Sequence, residues 1–194
     1  MYGGVEIFAE PRATGEPIRG AATGTDLAPD GSFRAPTTPI EAQRQAGLSG
    51  KLADRKLALE TALPDRSGTG RRAVFSISRQ RVWIVSADDQ VRRTYPVSGS
   101  VYDNLKPGRY DVFSRSERAR GIDDSGTMRW FVRFAEGANA AIGFHNIPVH
   151  RGERVQTRAQ LGTPLSHGCI RQAEPDAKAM WSFARVGTTV VVRP

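Results

Sequence analysis

Apolar positions follow no sustained period over residues 1–38, where segments such as Ala22-Thr23-Gly24-Thr25 and Ala35-Pro36-Thr37-Thr38-Pro39 read as flexible linker. From Pro39 to Leu63 the composition favours helix. Leu52, Leu57, Leu59 and Leu63 can share a loose face, although Gly47 and Gly50 weaken its first half. Beyond Arg71 short β-rich runs take over. Val74, Phe75 and Ile77 lead into Arg81-Val82-Trp83-Ile84-Val85, and Ala87-Asp88-Asp89-Gln90 turns the chain back along Val91 to Val97. Lys106-Pro107-Gly108 is a turn before a strand over Arg109 to Phe113. Glu117 to Ser125 is charged and carries a glycine, which predicts a surface loop. Met128 to Phe134 and Ala140 to Phe144 are two further strands around a turn at Glu136-Gly137-Ala138-Asn139. Pro175 fits the first turn of a helix. Ala177, Met180, Trp181 and Ala184 follow at helical spacing, with Met180 and Trp181 read as core, not ligand contacts. Gly187 closes that helix, and Thr188 to Val192 is a β-branched last strand.

Many short strands, one late helix and no βαβ alternation describe a mostly β domain. The boundaries this predicts are a low-order N-terminal extension over 1–65, with a possible helix near 40–63, and a folded domain over 66–194.

Composition narrows the function classes. At 39 % apolar, the 194 residues can build one compact core, and no run approaches the roughly 18 apolar residues of a spanning helix. Met1 to Gly20 has neither a basic start nor an apolar stretch, so no signal peptide is visible. The net charge of +8 is uneven: residues 1–65 hold seven Lys/Arg against nine Asp/Glu, whereas 66–194 hold 21 against 11. A basic domain favours an anionic partner. Its arginines are scattered, without the aromatic-interleaved stripe of a nucleic-acid binder, and no nucleic-acid partner is expected.

The single cysteine excludes an intrachain disulfide and a multi-cysteine metal site. Cys169 lies in Pro164-Leu165-Ser166-His167-Gly168-Cys169-Ile170-Arg171, and all three histidines, His145, His150 and His167, fall within 25 residues of it. A thiol reacts as its thiolate and needs a base or a positive field. Gly168 would let the backbone approach a substrate closely, and an N–H at or near Cys169 could stabilise an oxyanion. Two other readings compete on these residues: a buried structural cysteine among ordinary histidines, or a zinc site of three His and one Cys. The single residue between His167 and Cys169 is shorter than structural-zinc spacings, which argues against the metal.

Ser166-His167-Gly168-Cys169-Ile170-Arg171, after Ile142-Gly143-Phe144-His145 and before the Val-Gly-Thr-x-Val-x-Val ending at 186–192, resembles the L,D-transpeptidase catalytic domain. The similarity extends to Gln80-Arg81-Val82-Trp83, Pro96-Val97-Ser98-Gly99 and the turn Lys106-Pro107-Gly108-Arg109-Tyr110, about residues 71 to 194 in all. The resemblance implies a compact β-sandwich or barrel with one late helix, acting without cofactor or metal as a monomer. Peptidoglycan stem peptides would be its substrate outside the cytoplasmic membrane, and β-lactams, carbapenems in particular, its covalent inhibitors.

It also implies roles. Cys169 would be the nucleophile and His145 the general base, oriented by the main-chain carbonyl of Asn146. Ser166, His167 and Gly168 would support the site and its oxyanion. Arg171 would pair with a substrate carboxylate through its fork, or serve as a structural donor. One departure bears on the base. Twenty residues separate His145 from Ser166, more than the usual pattern, whereas the 15 from His150 fit it. Strand context favours His145, because Val149 to Val155 reads as an inserted hairpin with His150 near its turn. Either transpeptidation, giving 3→3 crosslinks, or L,D-carboxypeptidation would follow. A generic Cys-His peptidase and a non-catalytic basic wall-binding module are the competing functions.

Overall fold

A computed structural model describes residues 38–122 and 126–194. The linker expected before residue 38 lies outside them. Two compact units divide the chain, one ending at Lys56 and the other spanning Leu57–Pro194.

Helix α1 (Pro39–Thr61) begins on a reciprocal cap. Glu41 N–H donates to Thr38 Oγ1 at 3.2 Å and Thr38 N–H to Glu41 Oε2 at 3.1 Å, while Pro39 supplies the first-turn φ. None of its residues is buried, so Leu52, Leu57 and Leu59 form no core face. Leu63, just beyond, packs on Val74, Trp83, Val85 and Val191.

The second unit is built on two sheets. In the first, β1 (Arg72–Ser76), β2 (Arg81–Val85), β3 (Val91–Pro96), β4 (Gly108–Asp111) and β11 (Thr189–Arg193) lie in the order β3-β2-β1-β11-β4. The pair β1–β11 is parallel and the others antiparallel. Every residue of β1 is buried, because Ala73 and Phe75 face the main core and Val74 the smaller Trp83 cluster. The β2–β3 turn falls at the expected Ala87-Asp88-Asp89-Gln90, with Asp89 at φ 61°.

The second sheet contains β5 (Ser114–Arg120), β6 (Thr127–Glu136), β7 (Ala141–Asn146), β8 (Val149–His150), β9 (Glu153–Arg154) and β10 (Ile170–Gln172). Its order is β10-β7-β6-β8-β9, with β5 on β6. Between the sheets lie Phe75, Val82, Ile84, Val132, Phe134, Ile142, Phe144, Ile170, Val190 and Val192. Helix α2 (Glu174–Phe183) adds Met180 to the same core.

Two expectations are corrected. The predicted loop at Glu117–Ser125 is a strand as far as Arg120; Ser114-Arg115-Ser116-Glu117-Arg118-Ala119-Arg120 pairs along β6 without burying an apolar face, so it has no alternation to read. Residues 123–125 lie outside the described residues. The strand expected over Arg109 to Phe113 forms as β4 but stops at Asp111, and Val112 and Phe113 cross between the sheets. Buried Val112 donates its N–H to Thr188 O at 2.9 Å, and Phe113 N–H reaches Arg133 O at 3.0 Å.

Candidate active site

Adjacent parallel strands assemble the site. In the β7–β10 register Phe144 lies beside Ile170, His145 beside Arg171 and Asn146 beside Gln172. Side chains alternate along a strand, so Phe144 and Ile170 enter the core while His145 and Arg171 share the other face. Cys169 immediately precedes β10, at the end of a turn held by Ser166. Ser166 Oγ donates to the Cys169 carbonyl and accepts Gly168 N–H at 3.2 Å. Leu165 and Ser166 both donate their N–H groups to Gly99 O, and Val101 N–H donates to Ser166 O, tying the turn to residues 99–101.

The Cys169 thiol donates to Ala141 O at 3.7 Å, and no hydrogen bond joins it to an imidazole. Burial pushes its pKa up, against the Gly143 backbone hydrogen bond and the positive charges of Arg171 and Arg133. His145 is 2 % exposed and packs edge-on against Phe131, ring centres 5.4 Å apart. Its Nδ1 lies 2.5 Å from Asn146 O. A carbonyl only accepts, so Nδ1 carries the proton and Nε2 keeps its lone pair. Burial lowers the imidazole pKa to about 4, with Asn146 opposing and Arg171 reinforcing the shift.

The resting site therefore holds a neutral thiol and a neutral imidazole. Burial opposes the charged form of each group, raising the thiol and lowering the imidazole to about 4, so the neutral pair is favoured over the ion pair. A nucleophilic role for Cys169 would then call for proton removal in the course of attack, as in general-base catalysis.

This has a pH consequence. A base with its pKa at about 4 remains competent at pH 5, so acylation of Cys169 at pH 5 is expected to match that at pH 7 once thiolate attack is subtracted. An ordinary histidine would be about 30-fold less available at pH 5. The imidazole also tunes stability: its folded pKa lies below the unfolded value, so its contribution is present above about 6.5 and is lost as pH falls through about 4. Acylation rates at pH 5, 6 and 7 test the first statement, and melting temperatures followed from pH 7 down to 4 test the second.

The other residues singled out in the sequence are placed differently. His167 is exposed, its ring 5.9 Å from that of Tyr102 and its carbonyl accepting Asn104 Nδ2 at 2.6 Å. His150 lies in the short β8–β9 hairpin, opposite Glu153, before a turn with Arg151 and Gly152 at positive φ. Arg171 uses Nη1 on Leu165 O (3.0 Å) and Gln156 Oε1 (3.2 Å). Gln156 in turn donates to Ser98 Oγ at 2.9 Å. A Cβ on Gly168 would meet its neighbours at ordinary distances, 3.5 Å and beyond.

Sequence reasoning missed Gly143, Phe131, Arg133 and Gln156. Gly143 had a signal, a glycine inside the apolar run Ala141-Ile142-Gly143-Phe144, which marks close backbone approach. The others are brought to the site by tertiary pairing and carry no local pattern. Among the described residues no three His, Cys, Asp or Glu side chains gather as a metal site would require, and no helix is long and apolar enough to cross a membrane.

A model of the L,D-transpeptidase catalytic domain (YkuD) matches residues 70–192. A protein of Bacillus subtilis (strain 168) that bears a provisional L,D-transpeptidase name, YciB, is 29 % identical over 131 residues, covering 60 % of this chain and 68 % of its own. An L,D-transpeptidase from Mycobacterium smegmatis superposes with a TM-score of 0.52 at 20 % identity, over 66 % of this chain and 60 % of that one. The L,D-transpeptidase LdtMt1, solved in complex with imipenem, also gives 0.52, at 21 % identity over 64 % and 59 %. The chain thus spans about three fifths of these two structures, and the likeness concerns the fold.

Proposed function

The chain belongs to the L,D-transpeptidase catalytic domain family, and from that premise we propose that residues 66–194 catalyse acyl transfer on peptidoglycan stem peptides through a Cys169 thioester. The observation that carries the reading is the tautomer of His145. Its Nδ1–H is committed to Asn146 O, which leaves Nε2 as a buried base on the face that Cys169 adjoins. On this reading the Cys169 side chain turns from Ala141 O toward Nε2 when substrate binds; catalytic hydrogen bonds are often loose in the free enzyme.

His145 takes the thiol proton as sulfur attacks the carbonyl of an L-configured residue. The resulting oxyanion is met by the Cys169 N–H, since Gly168 N–H is already given to Ser166 Oγ. The C–N bond to the terminal D-amino acid then breaks, its nitrogen accepting the proton from the imidazolium. An amine of a second stem attacks the thioester, giving up its proton to His145, and the thiolate leaves and is reprotonated. Water in place of that amine yields the carboxypeptidase outcome. Ser166 holds the turn, Gly168 and His167 shape its rim, and Arg171 anchors the turn while keeping positive charge near the sulfur. Carbapenems would acylate the same sulfur. Stem peptides lie outside the cytoplasmic membrane, and the domain is assigned there with them.

Incubation with a disaccharide-tetrapeptide, followed by mass analysis, tests the reading. Crosslinked dimers or a shortened tripeptide stem are expected, and neither with Cys169→Ala. Salt-sensitive binding to wall fragments, retained by Cys169→Ala and without turnover in the unaltered chain, would instead favour a non-catalytic wall-binding module, the reading that the basic charge of 66–194 supports.

A further inference from the structure

We propose that Glu174 is a positioning residue for the His145 base, acting through Asn146; the inference rests on the assignment of His145 just made. The Asn146 main-chain oxygen fixes the imidazole, so whatever fixes Asn146 fixes the base. Its side chain is bonded at both ends. Oδ1 accepts Arg129 N–H at 2.8 Å, and Nδ2 donates to Glu174 Oε2 at 2.7 Å. Arg129 lies between Thr127, which pairs with β8, and Val132, where β6 begins to pair with β7. Its N–H meets a side chain where a neighbouring strand would otherwise accept it. Asn146 therefore fills a break in the sheet, and Glu174 sets the orientation of its amide.

The other carboxylate oxygen reaches the same break. Glu174 Oε1 accepts Trp130 Nε1–H at 2.9 Å. Trp130 holds φ 60°, in the left-handed region that a bulky residue enters at a cost of about 1–3 kcal/mol, and such strain persists only where the surroundings over-determine it. Trp181 at 5.8 Å and Arg129 over the ring at 4.6 Å complete those surroundings. Burial pushes the Glu174 carboxyl pKa up, but the hydrogen bonds from Trp130 and Asn146 and the charges of Lys178 and Arg129 outweigh it, and the group stays ionised. A single carboxylate at the start of α2 thus ties that helix to the distorted part of β6 and to the end of β7. The end of β7 holds the histidine.

The test uses the full chain, wild type and with Glu174→Ala or Glu174→Gln. Three quantities are measured: the rate of Cys169 acylation by imipenem, the ¹⁵N spectrum of the His145 ring, and the melting temperature. Glu174→Ala is expected to slow acylation roughly 10- to 100-fold, the cost of a base displaced by about 1 Å. It is also expected to replace the single Nδ1–H tautomer by a mixture. Glu174→Gln, which keeps one acceptor of the two, should fall between and serves if the alanine variant does not fold. A lower melting temperature with the acylation rate per folded molecule and the tautomer unchanged would overturn the proposal. Should the wild type itself resist imipenem, the transpeptidase reading fails. The ring spectrum still decides this one: an Nδ1–H tautomer lost with Glu174→Ala supports it, and one retained overturns it.

Discussion

His145→Ala is expected to slow acylation of Cys169 by about 10²- to 10⁴-fold, the range a positioned general base contributes, whereas His150→Ala should stay within about threefold of wild type. His145 is held on a long strand, between the Phe131 ring and the Asn146 carbonyl, beside Arg171 and two registers from the cysteine. His150 belongs to a two-residue strand before a turn that needs positive φ at both Arg151 and Gly152. Burial gives His145 a further property, because an imidazole kept neutral down to about pH 4 retains a free lone pair under all ordinary conditions. Rates of carbapenem acylation for the two variants decide the matter. Reversal of their order would exchange the roles of the histidines.

Gly143→Ala is expected to lower the melting temperature by about 10 °C and to remove acylation with it. A Cβ at 143 would lie 2.1 Å from Val132 O, 2.8 Å from the Arg133 Cα and 2.8 Å from the Phe131 ring. Ring and rotamer adjustments can relieve the last contact, but the first two are backbone. Relief requires separating β6 from β7 at the Arg133–Gly143 pair. Overpacking usually costs about 1–3 kcal/mol, and a fixed main-chain obstacle puts this case at or above that range. For a domain of this size each kcal/mol corresponds to roughly 2–4 °C or somewhat more. Because the Cys169 thiol is bonded to Ala141 O two residues before Gly143, and His145 follows two residues after it, the shift would propagate directly into the site. A melting temperature within 2 °C of wild type would contradict this account of β7.

What the sequence made legible follows from which features are local. The β1–β2–β3 meander is visible because its strands are apolar and its turn carries Asp88-Asp89, a residue pair tolerant of positive φ. Helix α2 is visible from Pro175 and the Ala177–Met180–Ala184 spacing. Strand β5 is not, since an edge strand of Ser and Arg pairs through its backbone and leaves no hydrophobic trace. At the site, Ser166-His167-Gly168-Cys169 marks itself, and the structure explains Ser166 in particular as the brace of the cysteine turn. Spacing alone left two histidines in contention, because a chain of 20 residues says nothing about which strand lies beside Cys169; the β7–β10 register supplies that. Glu174 was beyond reach for the same reason. It meets Asn146 across 28 residues of chain, and nothing in Ala173-Glu174-Pro175 distinguishes it from an ordinary helix-starting acid.

The most direct test of the central claim, that Cys169 is an acylatable nucleophile, is the intact mass of the protein after exposure to imipenem, followed by peptide mapping. The account predicts a gain of one carbapenem, located on the peptide containing Cys169 and absent from Cys169→Ala. An unmodified wild-type chain, or an adduct that persists in Cys169→Ala, would contradict it.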